Sequence, residues 1–459
     1  MVFDGYASVT PDLQKIPCHF ENNVLKLYYE DFFLPEGEMY KTDVEDDHLI
    51  KVWKRGYLSR NYYLMHLFQP LSIFERLPIP HTANYDVNWF ISDYDPKVFY
   101  NQLNFRFDEL DYFTCAFLDV QNDDTEFMIR KDEKILEKFS FVIDGKRVNV
   151  KLATHFETIN RIPPSVQRIS QLSMSFRKTR DLEFLYKLYW IVLDTFSFLC
   201  NRRNLTLNQA ILEGTTPQNQ RKYISTLCVI DKYKEPNEGI DGISKTIHYA
   251  DVRTHFAGLV RLIASNYDSK TKGKVSVRGI HPSFFKRNLI DLQQSLNITS
   301  AFEFHSRVLM PEISSEDTNE TYDEIKRLIE DQYIKIASGK KKKVAKDIVK
   351  KLEPMLSLGD KIKKAISGYD KWKSLESVVN QAFPNWEALA KEANEWRNEV
   401  AHEKREAIPT RNTINAIRMV ELLNYCLILR ASGFSNKSIS KIVFTVLDIR
   451  KTMKTNDVQ

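Results

Sequence analysis

The chain has 459 residues, 43% of them apolar and 28% charged, with only 14 glycines and a formal net charge of +5. That length exceeds one ordinary hydrophobic core and points to two or three globular domains. So few glycines argue against long flexible linkers. The absence of G-x-G-x-x-G and G-x-x-x-x-G-K-[ST] argues against dinucleotide and P-loop chemistry.

No apolar run reaches the roughly 18 residues needed to span a bilayer; the longest candidate, from Leu182 to Leu199, is interrupted by Glu183, Lys187 and Asp194. The start, Met1-Val2-Phe3-Asp4, lacks a basic segment followed by an apolar one, so a cytoplasmic protein with no membrane partner is expected. The five cysteines (Cys18, Cys115, Cys200, Cys228, Cys426) include no C-x-x-C pair, and reduced, buried thiols are expected rather than disulfides or zinc. No metal or cofactor is implied. Residues 1–160 hold 27 acids and 17 bases, net −10, which leaves +15 for the remainder. A basic C-terminal half suits a polyanionic partner, although a solvated basic surface gives the same count.

In chain order, residues 1–180 read as a β-rich domain, a sandwich or partly closed barrel. Val24–Tyr29 and Tyr112–Leu118 are predicted strands, rich in aromatic and β-branched residues. Phe139–Ile143, Asp144-Gly145 and Lys146–Val150 read as a hairpin with a two-residue turn, and Gln171–Phe176 as a strand closing the sheet. At Asp181 the period changes. Leu182, Leu185, Leu188, Tyr189, Val192 and Phe196 recur at three- and four-residue spacing, which predicts a helix ending near Asn201. Residues 181–295 form a connecting helix and mixed segment, with strands expected at Leu205–Leu212 and Tyr223–Ile230 and helix over 250–295. From 296 to 459 the pattern is helical, with helices near 299–310, 322–338, 342–353, 357–369, 374–402, 411–432 and 436–450. Pro384 restarts the fifth of these. Trp386, Leu389, Ala393, Trp396 and Val400 then form one apolar stripe. The fold class expected is α+β, a β-rich domain followed by an all-α one.

That stripe leads into Arg397-Asn398-Glu399-Val400-Ala401-His402. Arginine stays charged at any physiological pH, and histidine exchanges a proton near neutrality. Five helical residues turn a side chain through about 500 degrees, so Arg397 and His402 would diverge in an unbroken helix. A helix ending near Ala401 places His402 at a C-terminus, where the partial negative charge favours the imidazolium. Asn398 is four residues from His402 and can orient its ring. RNA brings its own nucleophile, the 2′-OH. An arginine can hold the phosphate and a histidine can move a proton to or from the reacting oxygens. Two copies in a symmetric dimer would supply one base and one acid. The competing reading is that Arg397 and His402 make surface salt bridges with Glu395 and Glu399.

With Arg397, Asn398 and His402 inside a helical region, the chain resembles the HEPN superfamily, whose ribonuclease members carry an arginine, a following polar residue and a histidine at this spacing. The β-rich start joined to a helical unit is similar to the ApeA family of bacterial anti-phage proteins. The resemblance implies a metal-independent endoribonuclease, active as a homodimer or higher oligomer, that cleaves host RNA during phage infection. It implies transfer RNA as substrate and a phage-encoded protein as a trigger. The β-rich domain would then sense the trigger or restrain the nuclease. The alternative is a non-catalytic RNA-binding or protein-interaction module.

Residues 335–373 hold 13 lysines and four acids, including Lys340, Lys341, Lys342 and Lys343, which are candidate RNA phosphate contacts or a solvated connection. Tyr369 and Trp372 can stack on a base or fill the core. His305 reads as structural, with Glu303 or Arg307 flanking the motif. The acidic stretch Asp43–Asp47 lacks calcium-loop spacing and reads as a solvated loop.

Overall fold

The computed structural model describes residues 1–8, 16–29, 49–54, 62–73, 81–116, 133–159, 165–201, 205–216, 222–230, 246–271, 273–277, 292–310, 327–331, 338–339, 341–344, 356–368, 372–401 and 408–447. The acidic stretch 43–47 therefore lies outside the described residues. The chain forms two compact units. The first comprises Met1–Leu193 with Asn204–Gly239, the second Asp194–Arg203 with Ile240–Gln459. The β-rich region precedes a helical one, as an α+β chain requires.

The first unit is built on an antiparallel sheet. Its strands are β1 (Phe3–Ser8), β2 (Ile16–Glu21), β3 (Val24–Tyr29), β4 (Leu49–Lys54), β5 (Tyr62–Ile73), β6 (His81–Tyr94), β7 (Phe99–Phe105), β8 (Lys134–Ile143), β9 (Lys146–Ile159), β10 (Ser165–Thr179), β11 (Gln209–Thr215) and β12 (Tyr223–Val229). Their order is β3-β2-β1-β4-β5-β6-β12-β11-β7-β10-β9-β8, with an added pairing of β3 to β6. That pairing closes β1 to β6 into a ring. One edge of β6 carries β3 along His81–Asp86 and β12 along Trp89–Ser92, so β6 belongs to the ring and to the open sheet beyond it. Alternation along the ring strands turns Phe20, Leu25, Leu27, Val52, Met65, Val87 and Phe90 into a common core. Cys18 joins them, and burial, with the nearby Asp4 charge, pushes its thiol up to about 12.

The β8–β9 hairpin has the predicted turn. Ile143 pairs with Lys146, and Asp144 (φ 50) and Gly145 (φ 75) take the left-handed conformations that a two-residue turn of this kind requires. Gln171–Phe176 lies within β10, between β9 and β7, rather than closing the sheet. Two expectations change. Tyr112-Phe113-Thr114 is not strand but the end of helix α1 (Asp108–Thr114), closed by Cys115 at φ 56; residues 117–118 lie outside the described residues. Asp108, Glu109 and Asp111 favour a helix N-terminus, and Leu110 and Phe113 share its buried side. Buried Glu109 accepts from the backbone N–H and hydroxyl of Thr206, which anchors the helix. The strands foreseen in a connecting segment are β11 and β12, and they sit in the sheet between β7 and β6. Their alternate residues are buried: Ala210 opposite Leu227 and Leu212 opposite Ser225 share one covered face of the sheet.

Helix α2 (Leu182–Cys200) follows β10 as the period predicted. Phe184, Tyr186 and Tyr189 lie against Phe176, Trp89 and Phe105 of the sheet. Lys187 bonds Asp144 of the hairpin turn at 2.9 Å.

The second unit contains α3 (Tyr249–Val252), α4 (Phe256–Ala264), α5 (Leu292–Leu309), α6 (Leu358–Ser367), α7 (Glu376–Val379), α8 (Trp386–Ala401), α9 (Arg411–Ala431) and α10 (Asn436–Val446). Helix α9 is its centre: every residue from Leu422 to Leu429 is buried, so it packs on all sides. A capping box between Thr410 and Thr413 fixes its start. Tyr425 of α9 stacks on Phe198 at 4.5 Å and donates to Asn201 Oδ1 at 3.0 Å. The stretch foreseen as one helix over 374–402 is α7 and α8, separated at Pro384. Most of the helices expected at 322–338 and 342–353 lies outside the described residues; residues 327–330 and 341–344 are helical. Among the described residues no helix is long and apolar enough to cross a membrane.

Gly214 leaves no room for a side chain. A Cβ there would meet Phe99 O at 2.5 Å and a Val98 methyl at 2.7 Å, where the β11–β7 register shifts. A Cβ at Gly145 meets nothing within 4 Å. Gly145→Ala should therefore cost about 1 kcal/mol, from the left-handed backbone alone. Gly214→Ala should cost about 1–3 kcal/mol because backbone must move. Urea unfolding of the two variants measures the order, and equal losses would refute it.

Candidate functional site

Helix α8 carries Arg397, and its packing decides where that side chain emerges. Trp386, Leu389, Ala390, Ala393 and Trp396 are buried, and Val400 is half-buried at the end of the stripe. Trp396 Nε1 donates to Ser295 Oγ of α5 at 3.1 Å. On the other side Glu392 accepts from Thr413 Oγ1 of α9. These two bonds fix the rotation of α8. The next residue is turned by about 100 degrees, so Arg397 leaves the packed stripe and reaches the surface.

The Arg397 side chain is 37% exposed and its guanidinium meets Glu303 of α5, with Nη2 donating to Oε2 at 3.2 Å. Nη1 lies 3.4 Å from Asn398 Oδ1, a weak contact that keeps the two motif side chains together. The other oxygen of Glu303 faces Lys361 Nζ of α6 at 3.6 Å. Three helices thus meet at one carboxylate between two cations. Glu395, foreseen as a partner of Arg397, instead pairs with Lys391. The sequence placed Glu303 or Arg307 beside the motif. Glu303 is there, while the Arg307 guanidinium lies over the Phe304 ring.

His402 lies outside the described residues, as do Lys340 and Tyr369; α8 is described as far as Ala401. Lys341, Lys342 and Lys343 are helical and exposed. Among the described residues of the lysine-rich stretch, Lys361 is the lysine that reaches the partner of Arg397. Its spacing, 36 residues before Arg397, gave no sign of this. The local signal is Ser357, which accepts from the Asp360 N–H, starts α6 and so sets the direction in which Lys361 leaves the helix. Trp372 lies beneath the Arg430 guanidinium at 5.8 Å.

His305 is a core residue. It is fully buried, its Nε2 accepts from the Ser276 N–H at 2.8 Å, and its Nδ1 lies 2.6 Å from Asn424 Oδ1. With Nε2 accepting, the neutral ring carries its proton on Nδ1 and donates to Asn424. Asn424 passes its own donors to Ile298 O and Val420 O, tying α5 to α9. Burial pushes the His305 pKa down to about 4, against the opposing pull of the Asn424 bond.

The consequence is a pH-dependent stability. The unfolded chain binds a proton on this histidine near pH 6.5 and the folded one only near pH 4. Stability from this group is complete above 6.5 and is lost as pH falls toward 4, on the order of 3 kcal/mol in all. His305→Gln should flatten this part of the pH profile of thermal unfolding while lowering the midpoint at neutral pH. An unchanged slope between pH 6.5 and 4 would exclude His305 as its source.

Residues 296–438 match the family described as Apea-like HEPN. The matched region begins within α5 and ends within α10, and so contains Glu303, Lys361, Arg397 and His402. No curated protein and no solved structure matches the chain.

Proposed function

With residues 296–438 matching the Apea-like HEPN family, whose domains are in general of the RNase type, we propose that this chain is a metal-independent RNA endonuclease. The observation that carries the reading is the placement of Arg397. Packing of the neighbouring Trp396 holds it at the surface, charged and 37% exposed, with Asn398 beside it and His402 five residues on.

Each residue has a role that its chemistry suits. Arg397 grips the phosphodiester with two parallel N–H donors and offsets charge as the phosphorus becomes five-coordinate. His402 exchanges a proton with the 2′-oxygen that attacks or the 5′-oxygen that leaves. Asn398 orients Arg397 and the bound phosphate. Attack by the 2′-oxygen closes a 2′,3′-cyclic phosphate and releases a 5′-OH, with one proton removed and one returned. Water and external nucleophile are not consumed in that step. A homodimer, or a higher homo-oligomer, brings two such histidines to one substrate. Host RNA, transfer RNA above all, is the proposed substrate, and defence of the bacterial cytoplasm against phage the proposed setting. A phage-encoded protein is the proposed trigger, sensed through the β-rich unit.

A second reading is favoured by one contact. Arg397 already has a carboxylate partner in Glu303, as it would in a module that binds RNA or protein without cutting.

Purified protein incubated with total bacterial RNA in the presence of a chelator separates the two. The nuclease reading expects discrete fragments ending in a cyclic phosphate, and a loss of at least a hundredfold in rate for Arg397→Ala and His402→Ala with folding retained. RNA that is bound but uncut, before and after addition of phage-infected extract, would leave the binding module.

A further inference from the structure

We infer that Lys361 is an RNA-contacting residue of this same site, a second phosphate ligand beside Arg397; the inference rests on the reading of the site as one that takes RNA. Four observations converge on it. Lys361 and Arg397 come from different helices, α6 and α8, yet each faces one oxygen of the Glu303 carboxylate, at 3.6 and 3.2 Å. The cationic heads are therefore separated by no more than one carboxylate. Two cations against one anion leave a surplus positive charge, whereas holding α5 to α8 needs only the Arg397 pair.

All three side chains are partly open to solvent, at 24%, 26% and 37% exposure for Lys361, Glu303 and Arg397. Ion pairs this open are weakly held, so a phosphate can take either cation without dismantling the fold. Lys361 also belongs to the lysine-rich stretch 335–373, whose excess of bases over acids suits a polyanionic partner.

A flexible ammonium suits this task, because it follows a phosphate as a point charge while the planar guanidinium fixes orientation. Glu303 is then the positioning residue. It holds both cations apart and ready in the free protein, and it yields part of its hold when the RNA backbone supplies negative charge. In the bound state one phosphate lies on Arg397 and its neighbour along the strand on Lys361.

The test uses the full chain carrying His402→Ala, so that RNA survives, and a single-stranded RNA oligonucleotide of about 20 nucleotides as probe. Affinity is measured across a series of salt concentrations. Loss of one phosphate contact on a single strand lowers the slope of log affinity against log salt by about 0.7. Lys361→Ala should show that reduction and bind severalfold more weakly at low salt, and Lys361→Arg should restore both. Glu303→Gln, which removes the shared negative charge and keeps its shape, should bind severalfold more tightly at low salt.

An Ala variant with the parental slope, or an Arg variant as weak as the Ala variant, overturns the inference. So does a Glu303→Gln variant with unchanged or weaker binding. Cleavage by the unmutated chain is scored in parallel. Binding without cleavage, before and after addition of phage-infected extract, sinks the nuclease reading and leaves the Lys361 result to be judged on its slope, whereas neither binding nor cleavage under either condition sinks both.

Discussion

The bond from Trp396 to Ser295 is the constraint on which the rest of the site depends. A buried indole N–H is costly to leave unpaired, and the acceptor for Trp396 is a buried hydroxyl on another helix. That pairing fixes how α8 is turned and how far it is slid along α5. Arg397 follows directly and reaches Glu303, eight residues beyond Ser295, about 12 Å along the α5 axis. Two adjacent side chains of α8 therefore hold α5 at two separated points. The inner one is dry and carries the geometry. The outer one is wet and carries the charge.

This division matters energetically. A pair as open as Arg397–Glu303 contributes about 0–1 kcal/mol to stability and is weakened by salt. It cannot be what places the helices. The buried contacts do that: the Trp396 indole, the His305–Asn424 bond between α5 and α9, and the apolar faces of α9. The exposed cluster is then free to respond to a ligand without a cost to the fold. A site that must bind a polyanion and later release it benefits from that separation.

Parts of this arrangement were legible in the sequence. The apolar stripe ahead of Arg397 and the restart at Pro384 both follow from helical period and proline geometry. The Asp144-Gly145 hairpin followed from turn chemistry alone. Long-range partners were not legible. Glu395 is close to Arg397 in sequence, but two residues apart on a helix face different ways; Lys391, at i,i+4, holds Glu395, and Glu303, 94 residues upstream, takes the arginine. Lys361 carried no mark to distinguish it from other lysines nearby. Helix α1 misled for a different reason. Tyr112-Phe113-Thr114 has strand-like composition, and the acids that start a helix ahead of it, together with the Glu109–Thr206 anchor, outweigh that preference.

The sheet order also carries information about time. Consecutive strands β6 and β7 are not neighbours; the hairpin β11–β12 lies between them, made from residues that follow Phe105 by more than a hundred positions. During synthesis at 5–20 residues per second, that hairpin emerges on the order of 10 seconds after β7. Until then the Trp89–Ser92 stretch of β6 and one edge of β7 have no strand to pair with. A nascent chain with two open edges is exposed to pairing with other chains. The ring β1 to β6 needs no later residue to close, so it can form first and leave only a short length of β6 waiting for the ribosome to finish the sheet.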